Sequence, residues 1–182
     1  MSYTSGIYLL FIICTCLVYY VWPQKTRWGV LLAANFVFYM AAGWKEFLFL
    51  LAAMGVSYYT CCKMGDLQTE LVKTKESKTL DKKQFKEYKE KNKKKSKKYF
   101  QIGFFAVLLM LIVVKYTNFL LGNGFSLLRL LGVEMDEFTV KLVVPLGISF
   151  YTFQTIAYML DVYKAKIEPQ RNFLKYALYS SF

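Results

Sequence analysis

Long uncharged runs alternate with short charged stretches along this chain. Residues 1–24, 28–44, 47–62, 99–114 and 142–160 contain no Asp, Glu, Lys or Arg. Crossing a bilayer takes about 20 mainly apolar residues, with a range of about 17–25. The first and last runs meet that length outright. The runs at 47–62 and 99–114 reach it with neighbours such as Lys45 or Lys115, whose ammonium groups snorkel or find partners. The pattern predicts five membrane segments, at about 4–22, 28–43, 45–62, 99–121 and 140–162. The chain then divides into three such segments over 1–62, a charged stretch over 63–98, and two more segments within 99–182. The expected fold is an all-α polytopic membrane protein.

The first segment does not read as a cleavable signal peptide. It lacks a basic start, and no small-residue cleavage site follows it. Trp22 and Pro23 read instead as an interfacial anchor and a helix stop. Residues 122–138 open with Gly122, Asn123 and Gly124 and continue with spaced leucines. They predict a turn followed by a short interfacial helix.

Composition sharpens this reading. Of the 182 residues 56% are apolar, too many for a disordered chain. Net charge is +12, and residues 63–98 alone hold 14 Lys and 6 acidic residues. Positive residues collect on the cytoplasmic side of membrane proteins. With 63–98 inside, Lys25, Arg27, Lys164, Lys166, Arg171 and Lys175 fall inside too, and the N-terminus lies outside. The basic charge is therefore a topology signal and not a sign of nucleic-acid binding. The 63–98 stretch reads as a helical cytosolic hairpin or a charged, partly ordered arm. Glu87 with Lys91 and Glu90 with Lys94 have favourable helical spacing, and Phe85 and Tyr88 share a face. Such an arm recruits an acidic partner or anionic lipid, or is simply a solvated loop.

The chain has no histidine, which excludes Ser-His-Asp and Cys-His dyads and histidine-ligated metals within it. Cys14, Cys16, Cys61 and Cys62 show no CxxC spacing and read as buried free thiols, with palmitoylation of Cys61 or Cys62 a lesser alternative. No metal site is expected. Two places hold polar groups at membrane depth, where they are costly and are functional candidates. The first is Lys115, facing a pathway or carboxylate, or snorkelling. The second follows Pro145 and Gly147, which favour a helix break. Beyond it Tyr151, Gln154, Thr155 and Tyr158 fall at helical spacing in one polar stripe. Such a stripe either lines a wet cavity or binds helices together. Asp161 follows at the helix end, where the macrodipole disfavours it, so a partner such as Lys164 is expected.

The run Leu142-Val143-Val144-Pro145-Leu146-Gly147-Ile148-Ser149-Phe150-Tyr151-Thr152-Phe153-Gln154, with Tyr158, Asp161, Val162 and Tyr163, resembles the signature of membrane-bound O-acyltransferases. The nearest branch is the bacterial one that acetylates alginate and D-alanylates lipoteichoic acid. Lys115-Tyr116-Thr117-Asn118-Phe119, the stretch Trp28 to Gly65, and Asn172 to Tyr179 match family patterns as well, the last as the start of a further helix. The resemblance implies a ring of helices around a tunnel in the bacterial plasma membrane. An acyl donor of the acyl-carrier-protein or acyl-CoA type arrives from the cytoplasm, the carrier protein docking on the basic stretch 63–98. A polysaccharide or teichoic-acid-like acceptor arrives from outside. The expected tunnel-lining residues are Ser149, Tyr151, Gln154, Thr155, Tyr158 and Asp161, with Asp161 at the cytoplasmic mouth. The family's key histidine lies downstream of the signature, so no catalytic residue is carried over. The expectation is the N-terminal part of a longer acyltransferase. The alternatives are a truncated, non-catalytic scaffold or docking protein and a transporter half, for which no second broken segment is found.

Overall fold

The computed structural model describes residues 6–77, 81–130 and 147–182. Among the described residues there are six α-helices and no strand. They are α1 (Gly6–Val21), α2 (Arg27–Ala42), α3 (Trp44–Glu76), α4 (Lys82–Leu130), α5 (Ile148–Tyr163) and α6 (Phe173–Ser181). Among the described residues two helical stretches are long and apolar enough to cross a membrane, Phe47–Glu76 and Lys83–Thr117. Helices α1, α2 and α5 have 16 residues each.

Short corners set the packing. Pro23 stops α1, and a 3-10 turn over Gln24–Thr26 leads into α2. Arg27 reaches back from the start of α2. Its Nε donates to the Trp22 carbonyl at 3.0 Å, and its Nη2 donates to that of Tyr20 at 3.2 Å. The last carbonyls of a helix have no partner within it, and a cation there also meets the negative end of the dipole. The single residue Gly43 separates α2 from α3.

Helices α3 and α4 are longer than the charge pattern suggests. Their 33 and 49 residues correspond to about 50 Å and 74 Å, against about 30 Å of hydrocarbon. Each runs without a break from an apolar half into a charged half. Lysine is a good helix former, so nothing at residue 62 or 99 ends the ladder. The 63–98 stretch is accordingly a helical hairpin within its described residues, tied across by Tyr88, whose hydroxyl donates to Glu70 at 3.4 Å. Glu87 and Glu90 form no ion pair within 4 Å among the described residues, in keeping with the small gain from exposed pairs.

The expected turn at Gly122–Gly124 is absent: α4 continues to Leu130. A glycine costs a helix about 1 kcal/mol, whereas an amide left unpaired among apolar groups costs more. Pro145 and the acids Glu134, Asp136 and Glu137 lie outside the described residues.

The core is built on α3, where Leu50, Met54, Ser57, Cys61 and Met64 form a fully buried spine at helical spacing. Across it lie Val107 and Val114 of α4, Tyr151, Thr155 and Met159 of α5, and Tyr176 and Ala177 of α6. Gly103 marks where three helices touch. A Cβ there would fall 2.3 Å from the terminal methyl of Met159 and 2.7 Å from Thr60 Oγ1. The thiols depart from expectation: Cys61 is buried and Cys62 half-buried, but Cys14 and Cys16 are exposed. Among the described residues helix α1 packs only on α2, and Cys16 borders an open hollow of about 400 Å³ between the two.

Candidate functional site

Helices α4 and α5 run antiparallel, with Phe100 stacked on Tyr163 at 5.0 Å near the basic end. That register brings Lys115 to the first turn of α5, where its Nζ donates to Ser149 Oγ at 3.2 Å. Lys115 also lies 5.6 Å from the centre of the Tyr116 ring. Among the described residues its partners are thus a hydroxyl and a ring, and the side chain is exposed. The turn before it is held by Gly147, with φ 73° and ψ 12°, in the left-handed region that side chains disfavour.

From Gln154 onward the polar stripe of α5 faces α6 and the segment leading into it. Gln154 Nε2 donates to the Tyr179 carbonyl at 2.8 Å. Thr155 and Ser180 share a buried hydroxyl bond of 3.1 Å. The Tyr158 hydroxyl accepts the backbone N–H of Gln170 at 2.7 Å, and its ring lies 5.2 Å from Tyr176 and 5.4 Å from Tyr179. Two buried atoms of the stripe have no partner, the Tyr151 hydroxyl and Gln154 Oε1. A buried polar atom without a partner costs about 1–3 kcal/mol, so such atoms mark either strain or a place awaiting a ligand or neighbour.

Asp161 pairs with Lys166 at 3.2 Å and not with Lys164. The cause is the corner after α5. Ala165 takes φ 54°, and Lys166 N–H donates to the Asp161 carbonyl at 3.0 Å, which folds Lys166 back over the helix end.

Several residues here were not singled out from the sequence. Tyr176 meets Ser57 hydroxyl to hydroxyl at 2.6 Å. Tyr58 donates to the Arg171 carbonyl, and Arg171 bonds Asp66 at 2.6 Å. That carboxylate hydrogen bond raises the Arg171 pKa above its ordinary value. Pro169 sits so close to α3 that a Cβ on Gly65 would lie 2.2 Å from its ring. The side chain of Asn172 caps α6 by accepting from Leu174 N at 3.0 Å and Lys175 N at 3.2 Å. These contacts join residues more than 100 positions apart, which no local periodicity reveals; only the Asn172 cap had a local signal.

Two hollows flank the stripe. One of about 530 Å³ lies between Tyr158, Tyr176 and Tyr179 and the charged Glu168, Arg171 and Lys175. The other, about 410 Å³, is bordered by Gln154, Leu31, Leu178 and Phe182. Tyr179 borders both. The first offers phenols and cations to an anionic or carbonyl group, and the second is mainly apolar. Among the described residues no three His, Cys, Asp or Glu side chains gather to hold a metal.

Comparison with known proteins gives one consistent answer. The chain is 29% identical, over 98% of its length, to a probable alginate O-acetylase of Azotobacter vinelandii. It is 28% identical over the same share to the corresponding protein of Pseudomonas putida. Over 35% of its length it is 43% identical to a peptidoglycan O-acetyltransferase of Helicobacter pylori. The chain spans about a third (32%) of the first two relatives and 11% of the third. No protein-family profile matches the chain, and no solved structure does. These relatives bear out the resemblance to membrane-bound O-acyltransferases.

Proposed function

We propose that this chain is the front part of a membrane O-acyltransferase that moves an acetyl or D-alanyl-like group onto hydroxyls of an extracytoplasmic polysaccharide or cell-wall polymer. The observation that carries the reading is the match across 98% of the chain to alginate O-acetylases. The geometry supports it. Tyr151 and Gln154 keep unpartnered polar atoms one turn apart, and Tyr158 borders a hollow with Arg171 and Lys175. In this reading those residues form part of a tunnel wall, Ser149 and Thr155 complete the polar face, and Asp161 sits at the donor-side mouth. The donor is an acyl thioester of the carrier-protein or CoA type, and a carrier protein would dock on the basic hairpin. The protein crosses the bacterial plasma membrane several times with its N-terminus outside. A reporter within 63–98 that reports an external location would reverse that topology.

The activity test is complementation in the source organism. Base-labile acyl esters on the extracellular polymer are measured with the intact protein and with Gln154→Leu or Tyr158→Phe. Each variant is expected to lower ester content roughly tenfold at equal protein level, the loss of one hydrogen bond to a polar group. Full ester content in both would remove the stripe from the reaction.

A further inference from the structure

Another cavity, of about 520 Å³, lies away from the stripe, in the notch where the charged halves of α3 and α4 meet the end of α5. The charged half of α4 is mostly exposed, yet Asn92 is only 3% exposed and Ser96 only 7%. Both line this cavity, and they are the uncharged positions in a run of lysines, spaced at i,i+4. Asn92 Nδ2 is buried without a hydrogen-bond partner, a donor with nothing to bond. Lys89, Lys93 and Lys164 border the same space. None of the three has a carboxylate within 4 Å among the described residues. The remaining wall is largely apolar, with Leu67, Leu71 and Tyr163. The notch lies close to Tyr99, where the uncharged run of α4 begins.

We propose that this notch binds the phosphate headgroup of an anionic phospholipid, with Asn92 as its buried donor and Lys89, Lys93 and Lys164 as its counter-charges. The chemistry required is an acceptor carrying negative charge, because the site offers an unmet N–H and three unpaired ammonium groups. The apolar wall beside the membrane-facing end of the hairpin suits the glycerol and first methylenes of such a lipid better than a free ion. A cavity of this size lies within the range of small-ligand sites, about 300–1,000 Å³. An acidic protein surface would meet the exposed lysines but not a donor recessed to 3% exposure. The proposal does not rest on the acyl-transfer reading: it uses none of the stripe residues and shares with that reading only the basic hairpin, whose outward lysines stay open to a carrier protein.

The test uses the intact protein in a neutral detergent, followed by thermal unfolding. Dioleoylphosphatidylglycerol, dioleoylphosphatidylcholine and inorganic phosphate are added in separate titrations. The anionic lipid is expected to raise Tm saturably, by about 5 °C, and the other two to leave it unchanged. Asn92→Leu is expected to keep or raise the lipid-free Tm, since it deletes an unpartnered amide, and to lose at least half of the lipid shift. Lys89→Gln with Lys93→Gln tests the same site with exposed substitutions that leave the fold intact, and the same loss is expected. A full lipid shift in either variant overturns the proposal. So does an equal shift with the zwitterionic lipid, or one reproduced by phosphate alone.

Discussion

Helices α1 and α5 have the same length, 16 residues, and both read as membrane segments, yet their surroundings differ completely. No residue of α1 is buried, whereas α5 buries Ile148, Tyr151, Thr152, Thr155, Met159 and Val162. Helix α1 is apolar all round, and Thr15 spends its hydroxyl on the Phe11 carbonyl of its own helix. Its main neighbour is Phe38, reached by Tyr8 and Phe11 at 5.7 Å and 6.2 Å between ring centres. Helix α5 instead aims hydroxyls and an amide at α6 and meets a glycine on α4. Apolar sequence makes a helix, but in lipid it supplies no preference for a neighbour. Close packing and interhelical hydrogen bonds do that.

The comparison can be broken at graded points. The largest effect is expected from Gly103→Leu, which fills the space now taken by Met159 and Thr60. Overpacking of a tight site costs about 1–3 kcal/mol or more, so equilibrium unfolding in mixed micelles should show a lower midpoint and less monodisperse protein. A smaller loss is expected from Thr155→Val, which keeps the shape and removes the bond to Ser180. Interhelical bonds of this kind contribute about 0.6–1.7 kcal/mol. The smallest is expected from Leu10→Ala on α1, where the side chain is 64% exposed, with a change within about 0.5 kcal/mol in the same assay. If Leu10→Ala cost as much as Thr155→Val, α1 would have a partner beyond the described residues, and the contrast would belong to this chain alone.

Much of the helical layout was legible in the residues. The start of α2, the end of α5 and the apolar half of α4 fall close to the uncharged runs, because charge is what those runs exclude. The length of the hairpin was not legible, since a lysine-rich stretch suits a helix and a solvated loop equally. The turn expected at Gly122 failed because local glycine preference lost to continuity of the backbone ladder. At the site, the spacing of Tyr151, Gln154, Thr155 and Tyr158 predicts one face but not which helix lies opposite Gln154, Thr155 and Tyr158. The answer, α6, depends on Pro169 seating against Gly65 and on Arg171 reaching Asp66, contacts that only the fold brings together. Asn92 and Ser96 did leave a signal, two uncharged positions one turn apart in a basic run. Net charge dominates that stretch and masks it.

The unbroken passage of α3 and α4 from apolar to charged halves has a practical side. A hairpin joined to the bundle by two continuous helices has no hinge at the membrane edge, so its far end moves with the bundle as one body. A rigid domain grafted in helical register at both Glu76 and Lys82 would stand about 25 Å beyond Lys98, clear of a detergent belt. It would serve as a fixed fiducial for aligning images of a molecule otherwise hidden in its micelle.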